Sequence, residues 1–433
     1  MSILSFFRKS APAPRLPKDD DAMMRLYKKL RWQSFIAGTV GYSLYYVCRT
    51  SLNVVKKPIL ESGALDATQL GVIGSALLFA YAIGKFVNGF LSDHSNIKRF
   101  MAAGLAVSAV ANLLVGILGI YFHSAPEGGQ LSMNILEISK HTIPMSAQYL
   151  FFPLTFVGFG VLGAMFPFHT WSPDGHASAP TAVSMLHAGV LMKLGGYGCF
   201  RVAIFLMPEA ANELAWIFLT LTGISVVYGA FSAIKQTDLK YINAYSSVSH
   251  CGLVLFAILM LNQTAMTGAV LQMLSHGLMT ALFFALIGMI YGRTHTRDVR
   301  EMGGLMKVMP FLSVCFVIAG LASLGLPGLS GFVAEMTAFV GSFEHTDTFH
   351  RFFTILATTS IVITAVYVLR MVGKLLYGAV QNPEHLKLTD ATFSERFSVA
   401  TLIVAIAGLG MVPLWVSDMI SYSLIPVIEQ LTR

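Results

Sequence analysis

Charge is scarce in this sequence: Asp, Glu, Lys and Arg make up 12% of 433 residues, against 55% hydrophobic residues. A chain so poor in charge cannot cover a water-soluble surface, and its formal net charge of +7 is too thin to suggest a nucleic-acid partner. Cysteine is scarce too, and Cys48, Cys199, Cys251 and Cys315 each stand alone in an apolar run. Without C-x-x-C spacing, neither a disulfide framework nor a metal site is expected. Nor does the start read as a signal peptide, because "MSILSFF" is too short for an apolar core and the basic, Pro-containing "RKSAPAPRLPK" follows it.

What the sequence has instead is apolar runs of membrane-crossing length, which predict an all-α polytopic membrane protein of about 11 transmembrane helices. The expected spans are 34–55, 67–91, 100–121, 148–168, 181–205, 214–234, 242–262, 265–291, 309–343, 352–378 and 397–416. Trp32, Trp171, Trp216 and Trp415 fall near run ends, where interfacial anchors sit. The run 309–343 is too long for one straight helix and contains "GLPGLSG", so a discontinuous helix is expected there, with exposed backbone lining a polar path. Arg8, Lys9, Arg15, Lys18, Arg25, Lys28, Lys29 and Arg31 precede the first run, which places the N-terminus in the cytoplasm. Counting from there, the inside connections 92–99, 169–180, 235–241, 292–308 and 379–396 carry Lys98, Arg99, Lys235, Lys240, Arg293, Arg297, Arg300 and Lys307, in agreement. The expected location is the cell's inner (plasma) membrane.

Within these spans four ionisable residues demand a reason: Lys193, His250, His276 and Glu335. An unpaired charge at the bilayer centre costs about 2.5–3.5 kcal/mol even on lenient insertion scales, so such groups face a bundle interior or a wet cavity. A lysine partly desolvated there can release and regain a proton as a neighbouring charge moves, and histidine relays protons near neutral pH. Structural readings stand beside this one. Lys193 could be half of a fixed ion pair, Glu335 could answer the orphaned backbone donors of the helix break, and the two histidines could be packed residues with satisfied ring nitrogens. His187 reads as local packing and Lys240 as a snorkelling anchor.

From about Ile120 onward the chain resembles subunit M of NADH:quinone oxidoreductase, respiratory complex I, and the related Mrp-type cation/proton antiporters. The resemblance is carried by "MFPFHTWSPDGHASAPTAVSMLHAGVLMKLGGYG", "QTDLKYINAYSSVSHCG", "QMLSHGLMTALFF", "HTRDVREMGGL" and "LGLPGLSGFVAEMTAFVGSF", in the family's order. It implies proton translocation with Lys193 as a central carrier, Glu335 as acceptor near the exit, and His250 and His276 linking them. It further implies other membrane subunits of complex I and the lipid bilayer as partners, a translocase whose redox chemistry lies on other chains, and no cofactor on this one. Two departures accompany it. The family's lysine on the first broken helix has Leu162 in its place, and nothing before residue 120 matches the family's glutamate-bearing helix.

Residues 1–118 resemble a different family, the organophosphate:phosphate antiporters of the major facilitator superfamily, through "KLRWQ", "GYSLYYVCR" and "FAYAIGKFVNGFLSDHSNIKRF". That likeness implies Arg49 and Lys85 as ligands of phosphate or an organophosphate, a chemistry suited to a guanidinium fork. The expected organisation is therefore a cytoplasmic tail with three major-facilitator-like helices over 1–118, a polar connection over 119–147, and an antiporter-like domain over 148–433. Three functions follow from this: a proton-translocating subunit, a phosphate antiporter, or a chimeric join of two truncated pieces without a complete function.

Overall fold

A computed structural model describes residues 110–432 except 112 and 126–128. The expected spans 34–55 and 67–91 lie outside the described residues, as do Arg49 and Lys85.

Among the described residues every regular element is a helix. Leu113–Phe122 (α1) leads through a connection with a single turn, Ile135–Ile138, to Met145–Leu162 (α2) and Trp171–Ser178 (α3). A continuous helix over 181–206 (α4) follows, in which π-helical turns at His187–Leu191 and Cys199–Ile204 interrupt ordinary α-helix. Then come Pro208–Ile234 (α5), Leu239–Ile258 (α6), Gln263–Thr294 (α7), Pro310–Ser323 (α8), Ser330–Phe343 (α9), Thr348–Leu376 (α10), Phe393–Met411 (α11) and Leu414–Leu431 (α12). Six of these, α2, α5, α6, α7, α10 and α11, are individually long and apolar enough to cross a membrane.

Local chemistry sets the boundaries. α5 and α8 begin with proline at the first helical position, where the missing N–H is no loss. Asp238, Asn262 and Asp347 accept backbone N–H groups at the starts of α6, α7 and α10, and Thr392 with Glu395 forms a reciprocal capping box on α11. The long run 309–343 is broken as expected: α8 stops at Ser323, α9 starts at Ser330, and Gly325 (φ +66°) and Gly328 (φ +93°) turn the backbone between them.

Burial separates centre from rim. In the most apolar 18-residue window of α6, 89% of residues are buried, against 11% for α11, so α6 is the axis and α11 an outer helix. α12 was not expected as a helix beyond residue 416. Asp418, Pro426 and Glu429 interrupt its apolar run, and it is an amphipathic helix: Val416, Ile420, Leu424 and Val427 are buried, while Leu414, Trp415, Met419 and Tyr422 are exposed.

Candidate functional site

Three of the four expected residues meet in the bundle interior. His250, on the buried axis α6, places Nδ1 3.3 Å from Oε1 of Glu335 on α9. Nε2 of Gln272 on α7 lies 3.1 Å from the same nitrogen, and Ser323 Oγ, at the end of α8, lies 3.5 Å from His250 Nε2. Both sides of the helix break thus converge on one imidazole. A carboxylate only accepts, so a proton on Nδ1 is shared toward Glu335. Gln272 Oε1 has no partner among the described residues, and an amide turned end for end would present that oxygen to the same N–H.

His276 sits one helix away on α7, 1% exposed, its ring centroid 5.0 Å from that of His250. Neither of its ring nitrogens is hydrogen-bonded among the described residues, which leaves the N–H of one and the lone pair of the other without a protein partner. Ser249, His250, Glu335, Ser360 and Thr364 line a small cavity of about 10 Å³, at the lower bound for one water molecule. The carboxylate is held against the break itself: a Cβ built on Gly325 would stand 2.9 Å from Glu335 Oε2. Glu335 therefore pairs with His250, and among the described residues it does not bond the orphaned backbone donors of α9.

Lys193 stands apart from that pair. It lies on α4 directly after the first π-helical turn, and its Nζ donates to the carbonyl of Ala188 inside that turn. No carboxylate comes within ion-pair reach of Lys193 among the described residues, so the fixed ion-pair reading finds no partner there. Its helix is seated on α7 beside His276, because Gly189 and Gly277 let the backbones touch: a Cβ on Gly277 would lie 2.9 Å from the Gly189 carbonyl oxygen. Wide turns of this kind recur at functional sites in helices.

The surrounding polar residues were not singled out from the sequence. Tyr367 OH donates to Ser246 Oγ at 2.7 Å, Ser275 Oγ meets Ser330 Oγ at 2.8 Å, and Thr280 joins Ser247 and Asn243 at 3.3 and 3.4 Å. Their signal was present as stripes at helical spacing: Asn243, Ser246 and His250 on α6; Gln272, His276 and Thr280 on α7; Ser360, Thr364 and Tyr367 on α10.

The stretch from the end of α2 into α4 holds a second set of imidazoles. His187 packs on Trp171 and His176, with ring centroids 5.0 and 4.5 Å away, as the sequence suggested. Burial, then the positive charges of His187, Lys193 and Lys240, push His176 down to about 3; burial pushes His169 down to about 4. Lys240 differs from the expected snorkelling anchor. It is buried and donates to the Ala179 carbonyl at 2.7 Å, tying the foot of α6 to the connection before α4. Leu162, at the position of the missing lysine, ends α2.

Comparison with known proteins places this geometry in context. Residues 73–364 match the family described as "NADH:quinone oxidoreductase/Mrp antiporter, TM". That range begins inside the segment 1–118 likened to phosphate antiporters and crosses the boundary drawn there. NAD(P)H-quinone oxidoreductase chain 4 2 of a Synechococcus species is 36% identical over 341 residues, which cover 77% of this chain and 63% of that one. NADH-quinone oxidoreductase subunit M of Rickettsia bellii is 37% identical, covering 68% of this chain and 58% of that one. The chain thus spans about three-fifths of the length of these relatives. Among solved structures, a chain of respiratory complex I from Thermus thermophilus with bound NADH superposes with a TM-score of 0.70 at 25% identity, covering 77% of this chain and 69% of that one.

Proposed function

The chain belongs to the NADH:quinone oxidoreductase/Mrp antiporter family, and from that premise we propose that it is a proton-translocating membrane subunit of an NADH:quinone oxidoreductase. The observation that carries the reading is the buried His250–Glu335 pair, 3.3 Å apart at a broken helix, with the unbonded ring of His276 beside it. Lys193, lacking a carboxylate partner among the described residues, is the donor on the other side of His276. A shift of charge at either end then moves a proton along Lys193, His276, His250 and Glu335. No cofactor is required on this chain for that step.

In this reading the partners are the other membrane subunits of the oxidoreductase, which supply the redox chemistry. The chain lies in the inner (plasma) membrane with its N-terminus in the cytoplasm. The reading keeps about 11 spans over the sequence, two of them before residue 110. The test is purification of the tagged chain with its membrane partners, followed by reconstitution. Lys193→Ala lowers proton pumping while the complex still assembles; recovery of no oxidoreductase subunit, together with unchanged pumping in the variant, refutes the reading.

The likeness of residues 1–118 to phosphate antiporters supports a narrower reading for Arg49 and Lys85 as anion ligands. Phosphate exchange in proteoliposomes that disappears in Arg49→Ala would establish it, and no exchange would end it. Long single-molecule DNA reads across the codons for 100–125 test the chimeric reading: an intact continuous gene in independent cells removes an assembly join as its origin and leaves a true gene fusion.

A further inference from the structure

At the far end of α9, outside the file of protonatable groups, three further side chains converge: His345, Asp347 and His350. One ligand-capable atom from each lies within 4.8 Å of the other two. The rings of His345 and His350 are stacked, 4.2 Å between centroids and 13° from parallel, and His350 Nδ1 lies 2.8 Å from Asp347 Oδ2. We propose that this cluster is a binding site for a borderline-soft divalent transition metal, of which Zn²⁺ is the type.

Several features of the geometry support it. The donor set of two imidazoles and one carboxylate suits Zn²⁺, whereas Ca²⁺ and Mg²⁺ require more oxygen donors than are gathered here. His345 already has the outer partner that metal-bound histidines use: its Nε2 lies 2.7 Å from the Met260 carbonyl oxygen. A proton on Nε2 bonds that carbonyl and leaves Nδ1 unprotonated as the ligand atom. Asp347 is fixed by capping α10, accepting the His350 backbone N–H at 3.0 Å, so the carboxylate is positioned by the fold. Donors around a tetrahedral ion with bonds near 2.0–2.2 Å stand roughly 3.3 Å apart, so groups already within 4.8 Å close on an ion by side-chain rotation. Asp347 is exposed and both histidines are partly so, which leaves an entry path and room for water as the fourth ligand.

The position gives the ion a structural consequence. Met260 follows the end of α6, His345 follows α9 and His350 opens α10, and these three helices carry His250, Glu335, Ser360 and Thr364. A metal there clasps the ends of the helices that enclose the His250–Glu335 cavity.

The test is calorimetric titration of the detergent-solubilised full chain with ZnCl₂, with Co²⁺ absorption reporting coordination geometry. One equivalent of Zn²⁺ is expected, with tetrahedral Co²⁺ bands, a rise in Tm, and no saturable heat with Ca²⁺ or Mg²⁺. Asp347→Asn retains the helix cap, and His345→Gln and His350→Gln retain a polar side chain, so all three variants keep the fold, checked by circular dichroism. Each is expected to weaken Zn²⁺ at least about tenfold, since loss of a ligand exceeds the usual effect of losing an outer partner. Absence of binding at 100 times a micromolar Zn²⁺ concentration, or binding of unchanged affinity in the triple variant, overturns the proposal. Neither outcome depends on whether the chain moves protons.

Discussion

At the scale of single residues, the decisive relation is between charge and partner. Lys193, His250, His276 and Glu335 could be picked out of the sequence because ionisable groups inside apolar runs have few tolerable environments. What the sequence could not supply was which of them touch. His250 and Glu335 are 85 positions apart in the chain and 3.3 Å apart in space, and only the folding of α9 against α6 makes them a pair. Gln272 and Tyr367 were passed over because neutral polar residues give a weak signal singly and a clear one only as inward stripes. Tyr367 serves the framework: its hydroxyl bonds Ser246, and Tyr367→Phe should lower stability by about 1 kcal/mol, the usual worth of one such bond. Thermal unfolding in detergent checks this, with pumping by the assembled complex expected to persist.

At the scale of elements, the broken helix and the wide turns of α4 determine where the chemistry sits. The break was legible because "GLPGLSG" interrupts a run too long for one span, and Gly325 and Gly328 take the positive φ values such a turn needs. The π-helical turns of α4 were not legible, since no local residue pattern distinguishes them from ordinary helix; only the backbone hydrogen bonding of the folded chain reveals them. Gly277→Val should push α4 off α7 at the Gly189 carbonyl, lowering stability by about 1–3 kcal/mol and displacing Lys193 from His276. A Tm measurement paired with a pumping assay would detect both effects, whereas an unshifted Tm would contradict the close crossing. α12 was missed for the opposite reason, because its charges and proline hide an amphipathic helix from a search for uniformly apolar runs.

At the scale of the whole molecule, an all-helical membrane bundle was readable from composition and hydropathy, while the place of α6 at its axis and the assignment of residues to the file required the packing. Acid sensitivity is one property of the assembled bundle. His169 and His176 are held down to about 4 and about 3 by burial, so the folded chain binds fewer protons than the unfolded chain at pH values below about 6.5. Stability therefore falls as pH is lowered from about 6.5 toward 4, and His176→Phe should flatten the dependence. Thermal unfolding of the solubilised chain at pH 7.5 and 5 measures it. The central claim concerns transport: a proton passes between His250 and Glu335. The most direct measurement is the number of protons pumped per NADH oxidised by the reconstituted complex carrying Glu335→Gln, which keeps the side chain's shape and removes its charge. The account predicts a complex that assembles and pumps fewer protons per NADH than the unaltered complex; an unchanged ratio would contradict it.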